Sequence, residues 1–338
     1  MGRSRVTIRD VAARAGVSRQ TISRVINGSA SVSSETEANV KAAIAALGYQ
    51  PNAIARIMAR GRTHTIACLS PNLTDYTFAS VIEGAEAAVR GEGYFLMSSS
   101  APTPDAFREL LNVLVSSART EGLMVFNPFA DERHRFMPPD VPTVLVGARP
   151  RMGIASSVAQ DDVEAGRIAT AHLLALGHRH VATVTGPLAE DCTQDRLAGY
   201  YQMLLQSRIA YDPDMVVQGD WSAKSGYEAL LKLRTSPVMP TAIFAQNDQM
   251  AVGILRAARD SGLEVPVQLS VMGVDDIPLA AHFEPPLTTV RQDFAAMGRE
   301  AARLMIRCME DPAAEPEHVR LRPALIERRS TYPAPAAV

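Results

Sequence analysis

The sequence predicts an all-α headpiece built on a helix-turn-helix, joined through a short basic segment to an α/β core of two lobes with parallel sheets. Three observations predict it. Helical periodicity is punctuated by glycine near the start, arginine is in excess at that same end, and β-branched runs alternate with helical stretches from residue 64 onward.

The headpiece begins with residues 6–28, VTIRDVAARAGVSRQTISRVING. Thr7 and Asp10 stand at capping-box spacing, and Val11, Ala12 and Ala15 form the apolar stripe of a first helix. Gly16 ends that helix, and Ser18 caps a second one after a three-residue turn, which is helix-turn-helix spacing. On the second helix Ile22, Val25 and Ile26 face inward, leaving Gln20, Arg24 and Asn27 on the opposite face with Arg19 and Ser23 beside them. Arginine can pair bidentately with guanine, and glutamine or asparagine with adenine, in the major groove of DNA. A solvated face on a small helical domain is the alternative. A third helix, capped by Ser33 or Ser34, carries Val40, Ala43, Ile44 and Leu47 and stops at Gly48. Residues 51–63, PNAIARIMARGRT, then offer Pro51 as a fresh helix start in a segment too short to be a stable helix alone. A flexible basic linker is the other reading of that segment.

Charge supports a division of labour. The net charge of −2 conceals ten basic against three acidic residues up to position 62, an excess of +7 that leaves −9 for the rest. A basic end on an acidic body is expected where one end meets phosphates. With 47% hydrophobic and 21% charged side chains among 338 residues, the chain is long enough for a small domain plus a two-lobed one. No membrane-spanning run or signal sequence is visible, so the expected location is the cytoplasm. Cys68, Cys192 and Cys308 are widely separated and suggest neither disulfides nor a zinc site.

In the core, runs such as TIACLS, GLMVF, TVLVG, HVATVTG and TAIFAQ alternate with ASVIEGAEAAV, DVEAGRIATAHLLAL and QMAVGILRAA. The pattern predicts parallel sheets with crossover helices, paired as two lobes around a cleft that can close on a ligand.

Residues 6–28, together with LALGHRHVA (174–182), DRLAGY (195–200), GDWSAKSGY (219–227), NDQMAVG (247–253), SVMGVDD (270–276) and PPLTTVRQDF (285–294), resemble the lactose repressor and galactose repressor family of bacterial transcription regulators. The resemblance covers nearly the whole chain, with the blocks in order. It implies a headpiece over 1–50 and a hinge helix over 51–63 that places Ala55 and Met58 on DNA, Met58 as an apolar wedge in the minor groove where leucine is usual. It further implies a periplasmic-binding-protein-like core whose N-terminal lobe comprises 64–160 and 292–322, whose C-terminal lobe comprises 161–291 and 323–331, and a tail over 332–338.

Five side chains follow strands of the core, where ligands of open parallel sheets bind. Asp275 can accept from neighbouring hydroxyls, Arg196 offers a fork of donors, Asn247 can donate and accept, and Trp221 and Phe294 present flat apolar faces. The resemblance gives each an effector-contacting role. Structural alternatives stand beside it: Asn247 or Asp248 capping a helix, Asp275 shaping its turn, Arg196 pairing with Asp195, and both aromatics serving as core. Gly147, Ala148 and Arg149 stand where the lactose repressor has an aspartate reaching its sugar, so Arg149 or Arg151 could instead meet an acidic or phosphorylated ligand. Arg19 stands where that repressor has tyrosine, which implies a different operator.

The sequence contains no GxGxxG after a strand, no GxxxxGK[ST], no GxSxG and no HExxH, so neither catalytic residues nor a cofactor are expected. His178 and His180 form an HxH pair at a helix end, read as packing or capping rather than as metal ligands. The resemblance implies a repressor released from a near-palindromic operator by a small carbohydrate-like effector. A homodimer rather than a tetramer is expected, since the lactose repressor's tetramerising helix has no counterpart after PALIERRS. The alternatives are an effector acting as corepressor, such as a nucleobase or sugar phosphate, and a sugar-processing enzyme fused to a DNA-binding module, with Asp275 as its candidate base.

Overall fold

The computed structural model describes residues 6–26, 31–49, 63–117, 119–151 and 155–334. The chain separates into two compact units, 1–63 and 64–338. Asn27, Ala55 and Met58 lie outside the described residues, as does all but the last position of the 51–63 segment.

The first unit holds α1 (Ile8–Ala15), α2 (Arg19–Ile26) and α3 (Ser34–Leu47). Thr7 donates both its backbone N–H and its hydroxyl to Asp10 Oδ2, each at 2.8 Å, closing the first turn of α1. Gly16 then takes φ +66°, which lets the chain leave α1 without a Cβ clash. Ser18 Oγ accepts from the Thr21 N–H at 3.1 Å and starts α2, and Ser33 Oγ does the same for α3 through Thr36 N–H at 3.3 Å. Val11, Ala12, Ala15, Ile22, Val25, Val40 and Ala43 close one core, with Ile26, Ile44 and Leu47 packed against it.

The second unit contains two six-stranded sheets. The first has β1 (Thr65–Ser70), β2 (Phe95–Ser100), β3 (Gly122–Phe126), β4 (Thr143–Val146), β5 (Ser156–Gln160) and β11 (His318–Leu321), in the order β11-β5-β4-β3-β1-β2 and parallel throughout. The second has β6 (Val181–Thr185), β7 (Val216–Gln218), β8 (Ala242–Ala245), β9 (Ser270–Asp275), β10 (Thr288–Arg291) and β12 (Ala324–Ile326), in the order β12-β10-β9-β8-β6-β7. Here β12 runs antiparallel to β10, a departure from the all-parallel expectation at the sheet edge, where the chain returns after passing through a helix and β11 of the first sheet.

Helices sandwich both sheets. In the first lobe α4 (Tyr76–Gly91) and α10 (Phe294–Glu310) cover one face and α5 (Pro104–Ser116) the other. In the second, α6 (Asp162–Ala175) and α7 (Asp191–Gln206) cover one face, and α8 (Ala223–Leu233) and α9 (Asp248–Asp260) the other. A Cβ at Gly199 of α7 would lie 2.2 Å from Val163 O, so α6 and α7 approach as closely as they do only with glycine there. The chain passes between sheets after β5, after β10 and after β11. The three passages touch: Asp161 N–H donates to Leu321 O at 2.8 Å, and Gln160 Nε2 to Asp293 O at 3.2 Å. Among the described residues no helix is long and apolar enough to cross a membrane.

Candidate functional site

Two surfaces are candidates for function. On α2, the burial of Ile22 and Val25 turns Arg19, Gln20 and Arg24 outward and exposed, with Ser23 half-buried beside them. Donors long enough to reach base edges thus project from a helix whose back is fixed by the headpiece core. That is the arrangement needed for direct readout.

The second is a cavity of about 100 Å³ between the carboxyl ends of the two sheets. It brings together Arg196, Trp221, Asn247, Asp275 and Phe294. Arg196, on α7, is buried and largely committed to the protein: Nε donates to Asp162 Oδ1 at 2.8 Å, Nη2 to Gln292 Oε1 at 2.9 Å, and Nη1 to the Gln246 carbonyl. Its partner is therefore Asp162, not its chain neighbour Asp195. Gln292 Nε2 also donates to Asp162 Oδ1 at 2.8 Å, so side chains from two helices and from the connection after β10 lock together. Burial pushes the Asp162 carboxyl above its ordinary range, against the pull of Arg196 and Gln292.

Trp221 is held by its surroundings in a backbone conformation that costs energy, with φ +72°. Its indole N–H donates to Glu190 Oε1 at 3.0 Å, and its carbonyl accepts from Asn247 Nδ2 at 3.0 Å. The ring occupies the space left by Gly186, where a Cβ would meet it at 2.1 Å. The Arg196 guanidinium carbon lies 5.7 Å from the ring centroid. Asn247 also caps α9 through Met250 N–H at 2.8 Å, so both ends of its amide are engaged and it acts on the cavity chiefly by placing Trp221.

Asp275 differs from these. It sits at the end of β9 with φ +115°, is buried, and receives no side-chain hydrogen bond from the described residues. Burial pushes its carboxyl well above the usual carboxylate range; Arg196 opposes the shift and Asp248 adds to it. Glu190 is likewise pushed up by burial, against the bonds from Trp221 and Cys192.

The other lobe supplies Asp75, Thr77, Phe78, Phe126, Asn127, Gly147, Gln160, Phe294 and Met297. Gly147 has φ +72°, and a Cβ there would lie 2.5 Å from Asn127 Oδ1. Sequence reasoning passed over Glu190, Asp162, Gln292, Gln160 and Asp75. The available signal was position, since Asp75, Gln160, Asp162, Glu190 and Gln292 all follow or end strands on the cavity side.

Arg149 and Arg151, just after β4, bind across the cleft rim to α7. Arg149 contacts Asp195 at 2.7 Å and Gln194 at 3.1 Å, and its backbone N–H donates to Asp191 Oδ2 at 3.0 Å. Arg151 grips Asp191 with two bonds of 2.9 and 3.0 Å and stacks 3.4 Å above the Phe129 ring centroid. Neither lines the cavity. Asn127 Nδ2 adds another cross-cleft bond, to Glu190 Oε2 at 3.3 Å. His178 is buried in the second lobe, with Nδ1 against Thr241 Oγ1 at 2.9 Å and Nε2 against Ser270 Oγ and Tyr332 O.

Residues 7–52 match the model for bacterial regulatory proteins of the lacI family, and residues 170–331 match a periplasmic binding protein-like domain. The ribose operon repressor of Escherichia coli (strain K12) is 32% identical over 329 residues, spanning 96% of this chain and 99% of that one. This chain belongs to the LacI family. Another relative, the HTH-type transcriptional repressor PurR of Klebsiella pneumoniae (strain 342), is 33% identical over 337 residues, 97% of this chain and 98% of its own. Among solved LacI-family structures, the lac repressor dimer bound to operator and the anti-inducer ONPF superposes with a TM-score of 0.89 at 30% identity, covering 97% of this chain and 100% of that one. The headpiece and the two-sheet core are thus those of LacI-family DNA-binding transcriptional repressors.

Proposed function

We propose that the protein is an operator-binding repressor, working as a homodimer in the cytoplasm, whose grip on a near-palindromic operator changes when a small carbohydrate-like molecule occupies the cavity between its lobes. One observation carries this reading: a single chain joins an exposed base-reading face on α2 to a polar, aromatic-floored cavity to which both lobes contribute. In this reading Arg19, Gln20, Ser23, Arg24 and Asn27 meet the major groove and Ala55 and Met58 the minor groove. Trp221 and Phe294 take the C–H faces of the ligand, Asp275 accepts from its hydroxyls, and the two remaining N–H groups of Arg196 donate to its oxygens. A dimer sets two headpieces on two half-sites, as the lac repressor dimer does on its operator.

The mechanism is linkage. A ligand that contacts both lobes favours one lobe arrangement, and an operator that also favours one arrangement feels that choice as a change in affinity. A coupling of about 1–3 kcal/mol changes operator affinity roughly 5- to 150-fold. The test is fluorescence anisotropy at fixed salt on DNA from the upstream region of the protein's own gene, with and without a panel of sugars, sugar phosphates and nucleosides. Release by one compound establishes induction. Tightening establishes corepression, and equal affinity for unrelated DNA sinks the regulator reading.

A further inference from the structure

We infer that the cavity selects an uncharged polyol and rejects phosphorylated or carboxylated ligands, an inference that rests on the effector reading above and narrows it.

The first argument is a balance of donors and acceptors. Among the described residues lining the cavity, Arg196 is the only cation, whereas Asp75, Asp162, Glu190 and Asp275 are acidic. The guanidinium is already shared among Asp162, Gln292 and Gln246. Asp275 receives no side-chain hydrogen bond from the described residues, and Gln160, which lines the cavity at 5% exposure, leaves its Oε1 without a donor. Such walls ask for O–H groups. A phosphate or carboxylate near neutral pH brings acceptors only, and would set lone pairs against carboxylate oxygens.

The second argument concerns the basic groups nearest the site. Arg149 and Arg151 are the residues a sequence reader would assign to an anionic ligand, and the structure turns both away. They are bound to Asp191 and Asp195, and Arg151 is stacked on Phe129. To serve an anion they would have to abandon those partners.

Two measurements at pH 8 test the inference on the full-length protein. Trp221 is the only tryptophan in the chain and lines the cavity, so its fluorescence reports the local field without a ligand. With each quencher normalised to its effect on free N-acetyltryptophanamide, quenching by iodide should be weaker than quenching by caesium by about threefold or more at low salt, and Glu190→Gln should narrow the gap. Normalised iodide quenching equal to or above that of caesium would overturn the inference. Titration calorimetry with D-ribose, D-xylose, D-glucose and D-galactose, each beside its phosphate ester or uronate, is the second. An uncharged sugar that binds at least tenfold tighter than its charged derivative supports the inference, and a charged derivative that binds as tightly overturns it. Should the iodide gap be present while no panel member binds or alters operator affinity, the field stands and the effector reading is what fails.

Discussion

Two arginine clusters lie within a few residues of each other along α7, and they are built for opposite purposes. Arg196 and Asp162 are buried at 7% and 10% side-chain exposure, inside one lobe, with Gln292 completing the set. Arg149 and Arg151 are about a third exposed, and reach from one lobe to Asp191 and Asp195 of the other. The buried cluster fixes the floor of the cavity: either partner left alone would be a charge stranded away from water. The rim cluster is wet and screened, so it can form and part within the life of the folded protein. Burial, not the identity of the charges, separates a permanent fixture from a latch.

The comparison breaks most visibly at Arg196. Arg196→Ala should cost about 3–5 kcal/mol in equilibrium urea unfolding, because Asp162 is left uncompensated. A loss no larger than that of a surface arginine would show that the cluster is not structural. Gly199→Ala comes next. Its Cβ would press on Val163 O and force apart the helices that hold Asp162 and Arg196 together, with an expected cost of about 1–3 kcal/mol and weaker ligand binding.

At the rim, Asp191→Asn removes the paired grip of Arg151 and should change stability by no more than about 1 kcal/mol. Its effect belongs instead to lobe closure, read as an increased radius of gyration by small-angle scattering at low salt. That difference from the wild type should vanish at high salt, and a salt-independent difference would contradict the latch.

Acid provides the mildest probe. Burial pushes Asp191 up, but Arg151 and Arg149 outweigh it and hold the carboxyl below its ordinary 3.8. A depressed carboxyl contributes in full above 3.8 and is lost as pH falls through its folded value. Asp162 is raised, so its contribution is full below 3.8 and is lost as pH rises through its folded value. Acidification should therefore loosen the rim before the floor. Scattering should show an expansion below about pH 3.8 that precedes loss of far-ultraviolet circular dichroism, and simultaneous changes would count against it.

The contrast also marks what a reader of the sequence could see. The headpiece helices, their caps and their inward stripes follow from local rules, because each contact joins residues three or four apart. The cavity residues Trp221, Asn247 and Asp275 are legible as polar or aromatic side chains just after strands. The partner of Arg196 is not legible. Asp195 is its neighbour in sequence, yet consecutive residues on a helix point about 100° apart, and the carboxylate that meets Arg196 comes from 34 positions earlier across a helix pair. For the same reason Arg149 and Arg151 invited an anionic ligand: a sequence shows that two cations are present, but not that α7 carries their counter-charges. Glu190 and Gln160 were missed because acidic and amide side chains at strand ends are common, and only the facing lobe makes them part of a wall.

The three chain passages between the lobes lie side by side, tied to one another through Gln160, Asp161, Asp293 and Leu321. Three strips joined along one edge form a hinge, in which a few residues take up the rotation of one lobe against the other. Such a hinge makes the angle between the lobes the quantity that whatever lies in the cavity can set.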